Sequence, residues 1–182
     1  RAVTKVARLV SNPGCYPTAA NLAIRPLVTA GVLDRAAGIV CDAKSGVSGA
    51  GKRPSTKTHF SSVTENFSAY AVLDHRHVPE VLLTSDLEEK EFSFTAQLLP
   101  VHRGILETLY LRTENSTSRQ ELEAIYGKVY DKEPFVRIHP EGSFPTIQSV
   151  AHTNYCDISF RLAPPTRRVV IVAAIDNLLK GA

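Results

Sequence analysis

The order of apolar patterns constrains this chain most. Strand-like runs at residues 6–10 and 38–43 flank one helical pattern, and from residue 92 onward strand follows strand with a single helix inserted. Consecutive strands without a crossover helix between each pair must run antiparallel or share a mixed sheet. The expected class is therefore α+β: a largely antiparallel mixed sheet with helices packed on it.

The punctuation between those runs is equally plain. Ser11-Asn12-Pro13-Gly14 breaks the first strand as a tight turn. Ala19, Leu22, Ala23 and Leu27 then recur at helical spacing over residues 18–28, with Pro26 placed to kink or end the helix and Gly31 to stop it. Residues 45–66, rich in Gly, Ser and Thr, read as one long loop, and residues 67–73 as extended chain. His77-Val78-Pro79-Glu80 opens a helix that should run to about residue 89. Strands at 92–98 and 105–112 surround the turn at 100–104. Ser118 and Glu121 form a capping box for a helix to about residue 130. Residues 136–139, 147–151, 156–162 and 168–174 read as four further strands, and Asp176 as the cap of a last helix.

Composition narrows the function. The chain has 182 residues, 43% apolar and 21% charged, enough for one domain with a core. No apolar run reaches the length of a membrane span. A net charge of +3, with Lys and Arg scattered, gives no footprint for nucleic acid but leaves small anions open. The three cysteines are widely spaced, with no CxxC and no zinc pattern, so neither a disulfide framework nor a metal site is expected, and a reducing, cytoplasmic setting follows. No GxGxxG follows a strand, so a dinucleotide fingerprint is lacking. No Met occurs, even at position 1, which leads us to expect a piece of a longer polypeptide.

Cys15 stands where a strand and a Pro-Gly turn give way to a helix. There it is either a small buried turn residue or a nucleophile whose thiolate the helix N-terminus stabilises, lowering its pKa. Cys41 and Cys156 lie in apolar strand runs and read as core. A nucleophilic sulfur needs an acid or base within reach. The cluster Asp74-His75-Arg76-His77-Val78-Pro79-Glu80 offers two histidines, with Arg76 or Glu80 to handle charge; otherwise it is a solvated turn capping a helix. His102-Arg103-Gly104 is a second basic turn, suited to a carboxylate or phosphate, or a plain hairpin turn. The glycine loop at 45–52 suits a phosphate or is simply mobile, and its spacing is not that of a P-loop.

Five segments occur together in order: Ser-Asn-Pro-Gly-Cys-Tyr-Pro-Thr at 11–18, Ser-Gly-Val-Ser-Gly-Ala-Gly at 45–51, His-Arg-His-Val-Pro-Glu at 75–80, Leu-Pro-Val-His-Arg-Gly-Ile-Leu at 99–106 and Ile-Asp-Asn-Leu-Leu-Lys-Gly-Ala at 175–182. Across the whole chain this resembles the N-acetyl-γ-glutamyl-phosphate reductase family, of the aspartate-semialdehyde dehydrogenase superfamily. The resemblance implies that residues 1–182 form the catalytic and dimerisation domain. A Rossmann domain that binds most of the NADP would precede residue 1, and a final helix would continue past Ala182. It implies a homo-oligomer, dimer or tetramer, acting on a small acyl phosphate in the cytoplasm during arginine biosynthesis.

Residue by residue, the resemblance makes Cys15 the nucleophile and His75 the acid/base, with His77 its rival. Asn12, Gly14, Glu80 and Arg103 would support the site or bind substrate. Ser45, Gly46, Ser48 and Gly49 would close near the nicotinamide and phosphate, and Asn177 would lie near the cofactor. Ala96-Gln97 departs from the Pro-His that the family often carries there, leaving that histidine's role to Gln97 or His102 or to nothing. The implied reaction is attack of Cys15 on the acyl phosphate, a thioester, hydride transfer from NADPH and release of a semialdehyde. Three other readings compete: an aminoadipyl-phosphate reductase of lysine biosynthesis, a cysteine hydrolase or transferase using the same Cys15–His75 pair, and a non-catalytic dimerisation module.

Overall fold

A computed structural model describes residues 5–182. Helix α1 (Cys15–Thr29) is followed by strand β1 (Ile39–Gly46), a 3-10 turn at Val47–Ala50, the short helix α2 (Phe60–Val63), strand β2 (Ser68–Tyr70) and helix α3 (Val78–Ser85). Strands β3 (Phe92–Leu99) and β4 (Ile105–Arg112), helix α4 (Arg119–Tyr130), strand β5 (Val136–Ile138), the short helix α5 (Ile147–Val150) and strands β6 (Cys156–Ala163) and β7 (Arg168–Ile175) complete the chain.

All seven strands join one sheet in the order β2-β3-β1-β4-β7-β6-β5. Only β1/β3 and β5/β6 are parallel; the other four pairings are antiparallel. The expected mixed, largely antiparallel α+β architecture is therefore present. One face, carrying Cys41, Ala43, Phe94, Ile105, Leu109, Ile158, Phe160 and Ile171, is sealed in the apolar core with α1. Helix α1 fits there because its inward residues Ala19, Ala20, Ala23, Ile24 and Leu27 are small or aliphatic and wholly buried.

Pro26 does not end α1, one of the two outcomes expected of it. Its missing N–H leaves the Leu22 carbonyl without its helical donor. The Tyr130 hydroxyl of α4 donates to that carbonyl at 2.8 Å, and the Tyr126 hydroxyl donates to the neighbouring Ala23 carbonyl at 2.6 Å. The helix runs on to Thr29, and Gly31 follows with φ +68°.

Strands β3 and β4 do not form a hairpin: β1 lies between them. The segment 100–104 therefore crosses the end of β1, accepting from the N–H groups of Gly46, Val47 and Ser48 at 2.9, 2.9 and 3.1 Å. Gly46 permits this crossing, since a Cβ there would lie 2.8 Å from the His102 carbonyl oxygen.

Four further expectations are corrected. Residues 7–14 form no strand; side chains 5–13 are exposed, and no described strand pairs with them. Residues 147–151 are helical because Thr146 and Ser149 cap α5 reciprocally, which satisfies backbone groups locally. The long loop is shorter than expected, since β1 takes its first two residues and the 3-10 turn and α2 take others. Asp176 does accept the N–H groups of Leu178 and Leu179, at 2.7 and 3.0 Å, but closes a turn rather than a helix.

Candidate active site

Gly14 is the N-cap of α1 in extended conformation, so Cys15 is the first helical residue and its sulfur sits among free backbone N–H groups. The approach to Cys15 is pinned from α3. Both carboxylate oxygens of Glu80 accept from the Gly14 N–H, at 3.0 and 3.1 Å. The His77 ring lies flat on Gly14: a Cβ there would meet Nε2, Cε1 and Cδ2 at 2.6, 2.8 and 2.9 Å. On the other side the C-terminal turn closes in, since a Cβ at Gly181 would lie 2.8 Å from Cys15 Cβ.

His75 is buried, 8% exposed, in a ring of aromatic groups. Tyr16, Phe94 and Tyr70 lie 5.3, 5.2 and 5.7 Å from its centroid, and His77 lies at 4.9 Å. Its Nδ1 accepts the His77 backbone N–H at 3.2 Å. The neutral ring therefore carries its proton on Nε2 and presents a donor. Burial first, then the charges of His77 and Arg76, lowers the His75 pKa to about 4, so the ring is neutral at pH 7. His77 is lowered too, mainly by burial and Arg76, with Glu80 opposing.

The Cys15 thiol is pushed above its ordinary pKa, which corrects the sequence expectation. Desolvation is the largest cause, and Glu107 adds to it at the high pH where its buried carboxyl ionises; the Tyr16 and Cys15 N–H groups and Arg76 act the other way without winning. Cys41 and Cys156 are wholly buried, as core residues should be.

A cleft of about 920 Å³ has Cys15, His75, His77, Ser45, Gly46 and Gly49 in its wall. That volume is in the range that holds a small ligand. Ser48 and Asn177 stand behind this wall: the Asn177 amide donates to Ser48 Oγ at 3.0 Å and its carbonyl accepts from the Gly104 N–H at 2.7 Å. Asn177 thus braces the glycine loop against the 100–104 crossing. Other expected residues lie elsewhere. Arg103 is committed to the buried Asp176 at 2.8 Å. Asn12 is exposed and lines a separate groove beside α1. Gln97 donates to Asp42 on the neighbouring strand at 2.6 Å.

Three groups near Cys15 escaped the sequence reading of the site. Tyr16 and Tyr70 join hydroxyls at 2.9 Å across the cleft. Glu107 is wholly buried on β4. Strand alternation with Ile105 and Leu109 would have placed it on the core face.

The α+β sheet, with a cysteine at a helix N-terminus and a histidine in the same cleft, has the fold of semialdehyde dehydrogenases. It superposes on aspartate semialdehyde dehydrogenase II from Vibrio cholerae, solved in complex with ASA, with a TM-score of 0.75 at 16% identity; the match covers all of this chain and 60% of that one. A family model described as semialdehyde dehydrogenase, dimerisation domain, matches residues 15–177, and the chain belongs to that family. Among relatives, the N-acetyl-gamma-glutamyl-phosphate reductase of Desulforamulus reducens is 47% identical over 187 residues, covering 100% of this chain and 53% of its own length. That of Symbiobacterium thermophilum is 49% identical over 180 residues, covering 97% and 51%. The chain spans about half the length of these relatives.

Proposed function

We propose that this chain is the cysteine-bearing part of an NADP-dependent N-acetyl-γ-glutamyl-phosphate reductase. The observation that carries the reading is the placement of Cys15 at a helix N-terminus, in one cleft with His75 and the glycine loop, in a chain 44–49% identical to relatives of that name. Cys15, as thiolate, forms a bond from Sγ to the acyl carbon; the carbon–oxygen bond to phosphate breaks, and its electron pair leaves on the phosphate. The Cys15 and Tyr16 N–H groups, and Nε2–H of His75, are the donors for the oxyanion formed on the way. When the semialdehyde departs, the oxyanion re-forms its carbonyl, the carbon–sulfur bond breaks and its electron pair returns to Cys15 Sγ as thiolate; the neutral His75 ring keeps its proton and uses Nε2–H to hydrogen-bond the reacting oxygen.

The wall made by Ser45, Gly46 and Gly49 fits a nicotinamide ring, because its side chains are too small to obstruct a flat group beside Cys15. NADPH, when bound, would supply the hydride that reduces the thioester, most of its binding contacts coming from a preceding dinucleotide domain. The face of the sheet away from the helices supports a homo-oligomer. Val40 and Tyr110 are register partners there, each 48% exposed.

The test is turnover of N-acetylglutamyl 5-phosphate by the full-length enzyme that contains this segment. Cys15→Ser should lose several orders of magnitude while folding normally. Near wild-type turnover in that variant would remove Cys15 from the chemistry.

A further inference from the structure

The cleft beside Cys15 has two cations in its wall, Arg76 and Lys57, and one acid, Asp74. Arg76 contrasts with Arg103, the arginine the sequence favoured for an anion. Arg103 is neutralised by Asp176. Among the described residues no carboxylate or hydrogen-bond acceptor is paired with the Arg76 guanidinium, and Asp74 makes no ion pair with it. Arg76 is exposed, yet its backbone is fixed on both sides by the His77 N–H to His75 Nδ1 hydrogen bond. Its charge acts on Cys15, Tyr70, His75 and His77, four groups that line the same cleft. Arg76, and not Lys57, is among the main charges acting on Cys15. An unpaired guanidinium in the wall of the cleft that holds Cys15, with His75 and His77 on either side in sequence, is a site for an anion attached to the reacting carbon.

We propose that Arg76 is the anion anchor of the cleft, holding the phosphoryl group of the acyl phosphate beside Cys15 Sγ. This deepens the reductase reading and rests on it for the identity of the anion. An arginine fork matches two phosphoryl oxygens at once. It also favours departure of phosphate, because the electron pair released from the carbon–oxygen bond ends on the group Arg76 already holds.

The experiment reads the anchor without turnover. Cys41 and Cys156 are wholly buried, so alkylation of the folded chain reports Cys15. Rates with iodoacetate, an anion, and iodoacetamide, its neutral counterpart, are measured on the wild type and on Arg76→Gln, Arg76→Lys and Lys57→Gln. Both reagents need the thiolate, so their rate ratio cancels any change in thiol pKa and leaves attraction of the anion. Arg76→Gln should lower the iodoacetate/iodoacetamide ratio by about tenfold, with Arg76→Lys between it and the wild type and Lys57→Gln near the wild type. Inorganic phosphate should slow the wild-type iodoacetate reaction and leave that of Arg76→Gln unchanged.

An unchanged ratio in Arg76→Gln, or a loss in Lys57→Gln alone, overturns the proposal. Protection by N-acetyl-L-glutamate in place of phosphate overturns the phosphoryl assignment by putting a carboxylate there. Circular dichroism confirms that each variant is folded. A ratio that falls as expected, in a protein whose full-length form shows no reductase turnover, would keep the anchor and reject the reductase reading.

Discussion

The imidazole of His77 occupies the space that a side chain on residue 14 would need: an added Cβ would lie 2.6 Å from its Nε2. Gly14 has φ −66° and ψ 161°, a conformation open to any residue, so the requirement is one of room and not of backbone freedom. The same residue gives its N–H to Glu80. Gly14, His77 and Glu80 therefore form one clamp that sets where α1 begins and where Cys15 points.

Gly14→Ala should force the His77 ring away and cost about 1–3 kcal/mol, the usual range for overpacking. A Gly14→Ala/His77→Ala double variant should recover most of that loss, because the obstructing ring is gone. Thermal unfolding of both proteins checks this. Additive losses would show that the two residues do not compete for one space.

Alkylation of the wild-type chain by iodoacetamide should modify one cysteine, Cys15, since Cys41 and Cys156 are wholly buried. The pH profile should place its midpoint above that of an ordinary thiol, because burial outweighs the helix N–H groups. Arg76→Gln should move the midpoint higher still. Mass spectrometry across a pH series reads both outcomes, and a midpoint below the ordinary range would contradict the desolvation argument.

His75 should titrate near pH 4 in the folded chain, as read from its ring proton shifts by NMR. The unfolded chain takes up that proton around the ordinary histidine value of about 6.5. The folded pKa is lowered, so His75 favours unfolding progressively as pH falls from about 6.5 towards 4. His75→Asn should remove this component. In the full-length enzyme it should also lower turnover by roughly 10²–10⁴-fold, more than His77→Asn does. A larger loss in His77→Asn would transfer the role to His77.

Much of this was legible locally. The helix beginning beside Cys15, the capping box at Ser118 and Glu121, and the alternation of β4 and β7 are short-range patterns, and the structure follows them; the tight turn expected at residues 11–14 is absent, that segment running irregularly into the extended Gly14. What the sequence hid was non-local. Insertion of β1 between β3 and β4 depends on register choices that no single segment encodes. Rescue of Pro26 depends on Tyr130, more than a hundred residues away. The helix start at Cys15 was visible and argued for a depressed thiol pKa. The burial that reverses it comes from Gly181 and the core beneath, which only the fold brings together. Residues 147–151 misled because Ile147 and Val150 favour strands, while the deciding hydrogen bonds come from Thr146 and Ser149.

Val40→Glu with Tyr110→Glu should shift the protein towards the monomer, by placing two charges on the sheet face where a second copy is expected to seat. Val40 and Tyr110 face each other across β1 and β4, so the paired charges also repel one another. Sedimentation velocity separates this from misfolding when combined with an unchanged circular dichroism spectrum. A dimer that survives both charges would place the interface elsewhere.

Glu107 makes the pH dependence of stability a test of the core itself. It is wholly buried between Ala43 and Ala173 on the neighbouring strands. The Cys41 thiol lies 3.8 Å from Oε2, and Oε1 has no partner. Burial pushes its carboxyl well above the ordinary range, so the folded chain keeps this proton at neutral pH while the unfolded chain gives it up. Between the unfolded pKa of about 4.3 and the raised folded value, the native state binds the extra proton, and stability falls as pH rises. The limiting slope for one group is about 1.4 kcal/mol per pH unit. Glu107→Gln removes the titration while keeping the shape. Its absolute stability depends on how the new amide finds partners, but its pH slope does not. Urea unfolding at pH 5, 6.5 and 8 should show the variant gaining on the wild type as pH rises, the gap closing towards pH 4.5. Parallel stability curves would mean that Glu107 ionises in the folded state, with a counter-charge supplied where, among the described residues, no ion pair to it is present.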